Sequence, residues 1–152
     1  MTAPILVRPA VAADVDRLTE IAHTAKAHWG YPAQWIELWR SDLTFDAEHL
    51  ENEWVQVAES GELPMAVVSV GGEPPTLQLS HLWVMPATMG RGLGRGLFRL
   101  AVDYARTRGA DSLEIVSDPY AEEFYIHLGA IRIGEIESEP AGRRLPHLSF
   151  EL

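Results

Sequence analysis

L-S-H-L-W-V-M-P-A-T-M-G-R-G-L-G-R-G-L-F-R-L-A-V-D-Y-A-R-T-R-G, residues Leu79 to Gly109, decides how this chain is read. An apolar strand pattern runs into Pro86. Gly90, Gly92, Gly94 and Gly96 then alternate with Arg91, Leu93 and Arg95. A helical pattern follows over about Gly92–Arg108 and stops at Gly109, where a C-terminal glycine suits a helix end. Backbone that approaches a ligand closely uses glycine, because no Cβ stands in the way. A glycine loop opening a helix aims several N–H groups and the positive end of the helix dipole at one point, which suits phosphate. The segment is therefore expected to hold a phosphorylated ligand.

The rest of the chain bounds the answer. Its 152 residues suit one domain with a sizeable core, spanning 1–152. There are no cysteines, which removes disulfides, thiolate zinc sites and a cysteine acyl-enzyme, and fits a reducing, cytoplasmic setting. The start lacks a charged segment followed by a long apolar run, so no signal peptide is expected, and no stretch reads as a membrane span. No H-E-x-x-H or other metal spacing occurs, so no metal is expected. A net charge of −10 argues against general nucleic-acid binding and favours cationic substrates at long range. Yet five of the twelve basic residues, Arg91, Arg95, Arg99, Arg106 and Arg108, fall in or just after the glycine loop, so an anionic ligand is expected there.

Outward from the loop, the pattern alternates. Strands are expected at Ile5–Pro9, Trp54–Glu59, Leu63–Val70, Thr76–Met85, Ser112–Ser117, Ile131–Ile136 and Leu145–Glu151. Ser60-Gly61-Glu62 makes a hairpin of the second and third. Gly71-Gly72-Glu73-Pro74-Pro75 reads as a loop. Helices are expected at Ala13–His28, about Ala33–Arg40, the post-loop segment, and from Asp118-Pro119 to Leu128, with Asp118 as N-cap and Pro119 at N1. Ser41–Asn52 reads as a loop with one helical turn. The order β-α-α-β-β-β-α-β-α-β-β implies a mixed α+β sheet. The last strands leave an edge that could support a homodimer.

Nucleotide templates fail. G-x-G-x-x-G needs glycines at offsets zero, two and five. From Gly90, Gly92 and Gly94 the last offset falls on Arg95, Leu97 and Arg99. The P-loop pattern also fails, since no Gly-Lys-Ser/Thr is present and the one lysine, Lys26, is remote. A dinucleotide-dependent oxidoreductase is thereby disfavoured.

Met89-Gly90-Arg91-Gly92-Leu93-Gly94 resembles the acetyl-CoA loop, Q/R-x-x-G-x-G/A, of the GNAT family of N-acetyltransferases, with Met89 in place of Gln or Arg. Asp118 to Ala130, D-P-Y-A-E-E-F-Y-I-H-L-G-A, is similar to the second signature of that family. Ala121, Phe124, Tyr125, Leu128 and Gly129 match it, while Asp118 stands for the usual Asn and Ala130 for a usual Phe. The element order agrees from end to end.

The resemblance implies a mixed, mostly antiparallel sheet of about six or seven strands, flanked by about four helices, with splayed central strands. It implies acetyl-CoA as co-substrate and an amine as acceptor. The cofactor residues would be Leu82 and Val84 through their backbone, the loop Met89, Gly90, Arg91, Gly92, Leu93, Gly94, Arg95 and Gly96, and Asp118, Ala121, Phe124 and Tyr125. Tyr125 would be the general acid for the departing thiolate. His81, on the strand before the loop, is the first candidate base, ahead of His28 and Glu37. Trp29, Tyr31 and Trp35, near the Gly30–Pro32 break, would line an aromatic acceptor pocket suited to an amine. With no cysteine and no G-x-S-x-G elbow, transfer would be direct rather than through an acyl-enzyme. A CoA-binding module without catalysis is the alternative.

Overall fold

A computed structural model describes residues 4–152. Seven strands form one sheet: β1 Ile5–Pro9, β2 Trp54–Ser60, β3 Leu63–Glu73, β4 Thr76–Val84, β5 Ser112–Val116, β6 Ile131–Ser138 and β7 Arg143–Glu151. Their order across the sheet is β1-β2-β3-β4-β5-β7-β6. Only β4 and β5 run parallel. The α-helices are α1 Val15–Ala27, α2 Ala33–Leu38, α3 Ala47–Asn52, α4 Leu93–Thr107 and α5 Glu122–His127. This is the expected mixed, mostly antiparallel architecture.

The sheet is buried on both faces, because neighbouring residues of the central strands alternate sides. Val68 and Val70 face α4, whose Leu97, Phe98, Ala101, Val102 and Ala105 recur at helical spacing. Val67 faces the other way, toward Leu18, Ile21 and Ala22 of α1. Tyr125 of α5 joins the α4 side. Fully burying each such Leu, Ile, Val or Phe contributes about 1.5–3 kcal/mol, so the two apolar layers clamp the sheet between the helices.

The departures from the sequence reading have local causes. β3 continues through Gly71 and Gly72, where a loop was expected, and the turn shrinks to Pro74-Pro75. The Glu53 side chain lies over Gly71 so closely that a Cβ there would meet its Oε2 at 2.6 Å, so the glycine serves packing within a strand. α3 lies in the segment read as mostly loop; Asp46 caps it by accepting from His49 N at 2.8 Å. β6 and β7 extend to Ser138 and from Arg143, past their apolar stretches. Cross-strand charges such as Arg144–Glu135 carry the pairing there, and an apolar pattern is blind to them. The fourth expected helix opens with a 3-10 turn, Pro119–Ala121, before α5.

The splay that the resemblance implied has a visible origin. β4 pairs with β5 only over Thr76–Gln78 against Ser112–Glu114. On its other edge β4 shifts register against β3: Ser69 pairs with His81 and Val70 with Leu79, so Ser80 is an unpaired bulge. A bulge bends its strand and increases its twist. β4 stays paired with β3 as far as Val84 opposite Ala66 but leaves β5 after Gln78, and β5 goes on to pair with β7 as far as Val116 opposite His147.

Candidate active site

A cavity of about 490 Å³ fills the gap between the diverging strands. Its walls are β4 from Leu79 to Val84 and β5 from Ile115 to Val116. The glycine loop, Ala25 of α1 and Trp29 just beyond that helix complete the lining. Along the upper part of β4, backbone groups directed toward β5 have no strand partner. They are left for a ligand, since buried backbone groups otherwise go unpaired only at a cost.

The loop itself is built by glycine geometry. Gly90 and Gly92 hold φ of 84° and 79°, left-handed values that a side chain resists. Gly92 is the N-cap of α4 and no side chain caps the helix. The N–H groups of the first helical turn have no intrahelical acceptor. Gly96 is past that point: its N–H donates to Gly92 O at 3.0 Å. At Gly94 a Cβ would stand 3.4 Å from Phe124 Cζ and 3.5 Å from Val84 Cγ2, narrowing the throat where loop, β4 and α5 converge.

Most residues named from the sequence meet here. Leu82, Val84, Met89, Gly90, Gly92, Leu93, Gly94, Arg95, Asp118, Ala121, Phe124 and Tyr125 all line the cavity. Arg91 and Gly96 do not. Both are exposed on the solvent side of the loop, and the Gly96 N–H is spent inside the helix. Tyr125 is 6% exposed, and its hydroxyl is not among the occluded polar atoms that lack a partner. Burial, then the nearby Asp118 carboxylate, push its pKa above the ordinary phenol value, so it stays protonated.

His81 lines the cavity, but its chemistry differs from that expected of a base. Trp83 Nε1–H donates to His81 Nδ1 at 2.9 Å. An indole nitrogen is only a donor, so the neutral imidazole carries its proton on Nε2 and its one lone pair is already engaged. Burial, helped by His49, lowers its pKa to about 4. The geometry makes His81 a neutral donor and a poor proton acceptor. The unfolded chain takes up this proton near pH 6.5 and the folded chain only near 4. The contribution of neutral His81 is full above about pH 6.5, and stability falls as pH drops toward 4, by up to about 3 kcal/mol. His81→Gln should flatten this acid limb in thermal unfolding between pH 4 and 7; an unchanged slope would remove the buried-neutral assignment. Neither His28 nor Glu37 lines the cavity, and exposed Glu37 is held by Arg40.

The aromatic acceptor pocket is also corrected. Trp29 lines the cavity, stacked on Tyr120 at 5.3 Å with planes 10° apart. Tyr31 and Trp35 do not line it. They belong to a cluster that already holds the protein's own cations. Lys26 Nζ lies 4.7 Å from the Trp39 ring and 5.1 Å from Tyr31, and the Arg143 guanidinium lies 4.5 Å and 5.2 Å from the same rings. Asp118 accepts from Lys26 at 2.5 Å, from Tyr31 OH at 2.9 Å and from Tyr120 N at 2.8 Å. Sequence reading missed Lys26, Tyr120 and Arg143. One signal was available: Lys26 follows Ala22 by four and so lies on the buried face of α1.

The match to a family model now decides the classification. Residues 16–130, well over half of the chain, match the model described as the acetyltransferase (GNAT) family. The chain belongs to the GNAT acetyltransferase family. The fold of this GNAT chain is shared with solved structures of low identity. A GCN5-related N-acetyltransferase from Rhodopseudomonas palustris superposes with a TM-score of 0.83 at 21% identity, covering 100% of this chain and 98% of that one. The PaiA N-acetyltransferase of Thermoplasma acidophilum, in complex with coenzyme A, gives 0.81 at 13% identity over 98% and 99%. YncA of Salmonella typhimurium, with acetyl-CoA, gives 0.69 at 21% over 99% and 95%. No curated protein matches the sequence. Among the described residues of this GNAT domain, no cluster of three His, Cys, Asp or Glu could hold a metal, and no helix is long and apolar enough to cross a membrane.

Proposed function

We propose that this GNAT domain moves an acetyl group from acetyl-CoA directly to a primary amine of a small molecule or peptide. The observation that carries the reading is one continuous cavity. It takes in the uncapped N-terminus of α4, the unpaired edge of β4, and Trp29 and Tyr120, with Tyr125 in its wall. The CoA and acetyl-CoA complexes of the PaiA and YncA structures support the choice of co-substrate.

In this reading the free N–H groups of the first turn of α4 take the pyrophosphate. The β4 backbone pairs with the pantetheine arm, and its N–H groups polarise the thioester carbonyl. The amine nitrogen forms the C–N bond as the C–S bond breaks. The departing sulfur takes its electron pair toward the Tyr125 hydroxyl. A raised phenol pKa makes full proton transfer to a thiolate near 8.5 unfavourable, so Tyr125 works chiefly by donating a hydrogen bond to the sulfur. With His81 engaged at Nδ1, the ammonium proton leaves through ordered water to bulk.

Two measurements test this. Saturating acetyl-CoA, at about 100 times its Kd, should stabilise the fold by about 2.7 kcal/mol, a rise in Tm of about 5–10 °C, while NAD should leave Tm unchanged. A screen of amines, polyamines, amino acids and peptides should release free CoA thiol with at least one acceptor. Stabilisation without thiol release from any acceptor would favour the non-catalytic binding module, and a shift with NAD alone would overturn the reading.

A further inference from the structure

β6 closes one edge of the sheet and pairs only with β7. Its outer backbone groups are free to pair with another chain. Ile131, Ile133 and Ile136 of this strand are 60%, 53% and 38% exposed. The register fixes which way the strand faces. Arg132, Glu135 and Glu137 stand opposite Leu148, Pro146 and Arg144, on the α4 side of the sheet. Ile131, Gly134 and Ile136 stand opposite Ser149, His147 and Leu145, on the other side. There α1 packs over β3 and β4, and Val116 of β5 stays exposed across β7 from the isoleucines. The usual guards of an edge are few. β6 has no lysine and no proline, and its charges are spent within the chain, Arg132 on Glu122 and Glu135, and Glu135 on Arg144. The guard it does have is a bulge at Ile133. Charge also permits association here. Residues 131–144 carry three arginines and three glutamates, so this edge is neutral on a chain of net charge −10.

We propose that β6 pairs antiparallel with β6 of a second copy of this chain, about a two-fold axis between Ile133 and Gly134. The bulge sets that register. In an unbroken strand, residues an odd number apart point to opposite faces, but the extra residue brings Ile131 and Ile136 to one face. The two-fold then sets Ile131 opposite the partner's Ile136 and Arg132 opposite the partner's Glu135, and each pairing occurs twice. Ile133 meets the partner's Gly134, where even a Cβ would have open space. An axis through Ile133 or through Gly134 would instead oppose Ile131 to Glu135 or Glu137, whose side chains lie on the other face. The strand is thus complementary to itself in charge and in shape, which makes a second copy the occupant. The sheet would run unbroken through both copies. This inference is independent of the acetyl-CoA reading.

Light scattering after size exclusion should give twice the chain mass at micromolar concentration. Ile133→Lys with Ile136→Lys should raise the dissociation constant about 100-fold or more, since lysines guard an edge, at unchanged circular dichroism. The chain has no cysteine, so introduced ones report the register. Opposed Cα atoms of an antiparallel pair lie about 4.5–5.5 Å apart, within disulfide reach. An equal mixture of Ile131→Cys and Ile136→Cys chains should therefore form a covalent dimer under mild oxidation. Neither variant alone should do so, because like positions lie about 16 Å apart in this register. A monomeric wild type would overturn the proposal. Cross-linking of either variant with itself, or none in the mixture, would overturn it through the register even if the lysine variant failed to fold. Open-ended assemblies would also overturn it, since they would place β6 on the β1 edge of the next copy.

Discussion

Tyr125→Phe is expected to lower turnover by about 100-fold or more, with CoA affinity within about two-fold of wild type. The substitution removes one oxygen and leaves the ring, which packs edge-on against Phe98 and Phe124 in the α4-side core. Packing is therefore retained and the fold should not suffer. On the proposed mechanism, what is lost is a donor to charge that develops only as the C–S bond breaks. Such a group raises kcat without tightening substrate binding. Steady-state kinetics with an identified amine, paired with calorimetry of CoA binding, separates the two effects. Equal losses in turnover and affinity would remove the thiolate-donor assignment. Because Tyr125 stays protonated far above neutrality, it contributes no inflection to the rate profile between pH 6 and 9, in wild type or variant.

The largest expected effect on stability comes from Asp118→Ala, at about 3–5 kcal/mol. Asp118 is the single carboxylate set between Lys26 and Arg143; the three side chains are 8%, 10% and 11% exposed. Burial already lowers the Lys26 pKa, and Asp118 opposes that shift. Without the carboxylate, two cations would stay enclosed among Tyr31, Trp39 and Trp83, with the Tyr31 hydroxyl as their only close acceptor in this network. Aromatic faces offset only part of that cost. The Tyr120 N–H would also lose its acceptor. A fall in Tm of about 10 °C is expected for a chain of this size, read by thermal unfolding at neutral pH. Adding Lys26→Met to Asp118→Ala should recover part of the loss, since one of the stranded charges goes with it. A fall below about 3 °C for the single variant would show that this network is not what ties α1 to the β5–α5 connection.

Those two residues mark how far the sequence could be read. Tyr125 was legible because it sits in a short motif whose spacing is set by one helical turn. Asp118 was legible as a helix cap, and the structure keeps that role through Tyr120 N. Its second role was hidden, because its partners lie 92 residues away in Lys26 and 25 positions on in Arg143, which no local pattern links. The aromatic residues near Gly30 pointed to a cation-binding cluster. That was correct chemistry with the wrong guest, since the cations are Lys26 and Arg143. For His81 the deciding partner, Trp83, was only two positions away. Whether the two rings would meet depends on the His81 rotamer, which Phe45 and His49, remote in sequence, restrict by packing on the imidazole at 4.7 and 5.3 Å.

By itself the sequence determined the elements with strong periodicity, the glycine loop opening α4 and the family to which the chain belongs. These depend on contacts within a turn or two of helix or strand, where residue type and spacing act directly. Only the tertiary structure decided which glycines face the cavity, why β4 parts from β5, and that the cations among the aromatic residues near Gly30 are the protein's own. Gly90, Gly92, Gly94 and Gly96 look alike in the chain. Hydrogen bonding within α4 withdraws Gly96, whereas the other three line the cavity. The splay needs both the Ser80 bulge and the partnership of β5 with β7, a strand that begins at Arg143. Such features are set by packing between distant segments, whose energies a local pattern does not contain.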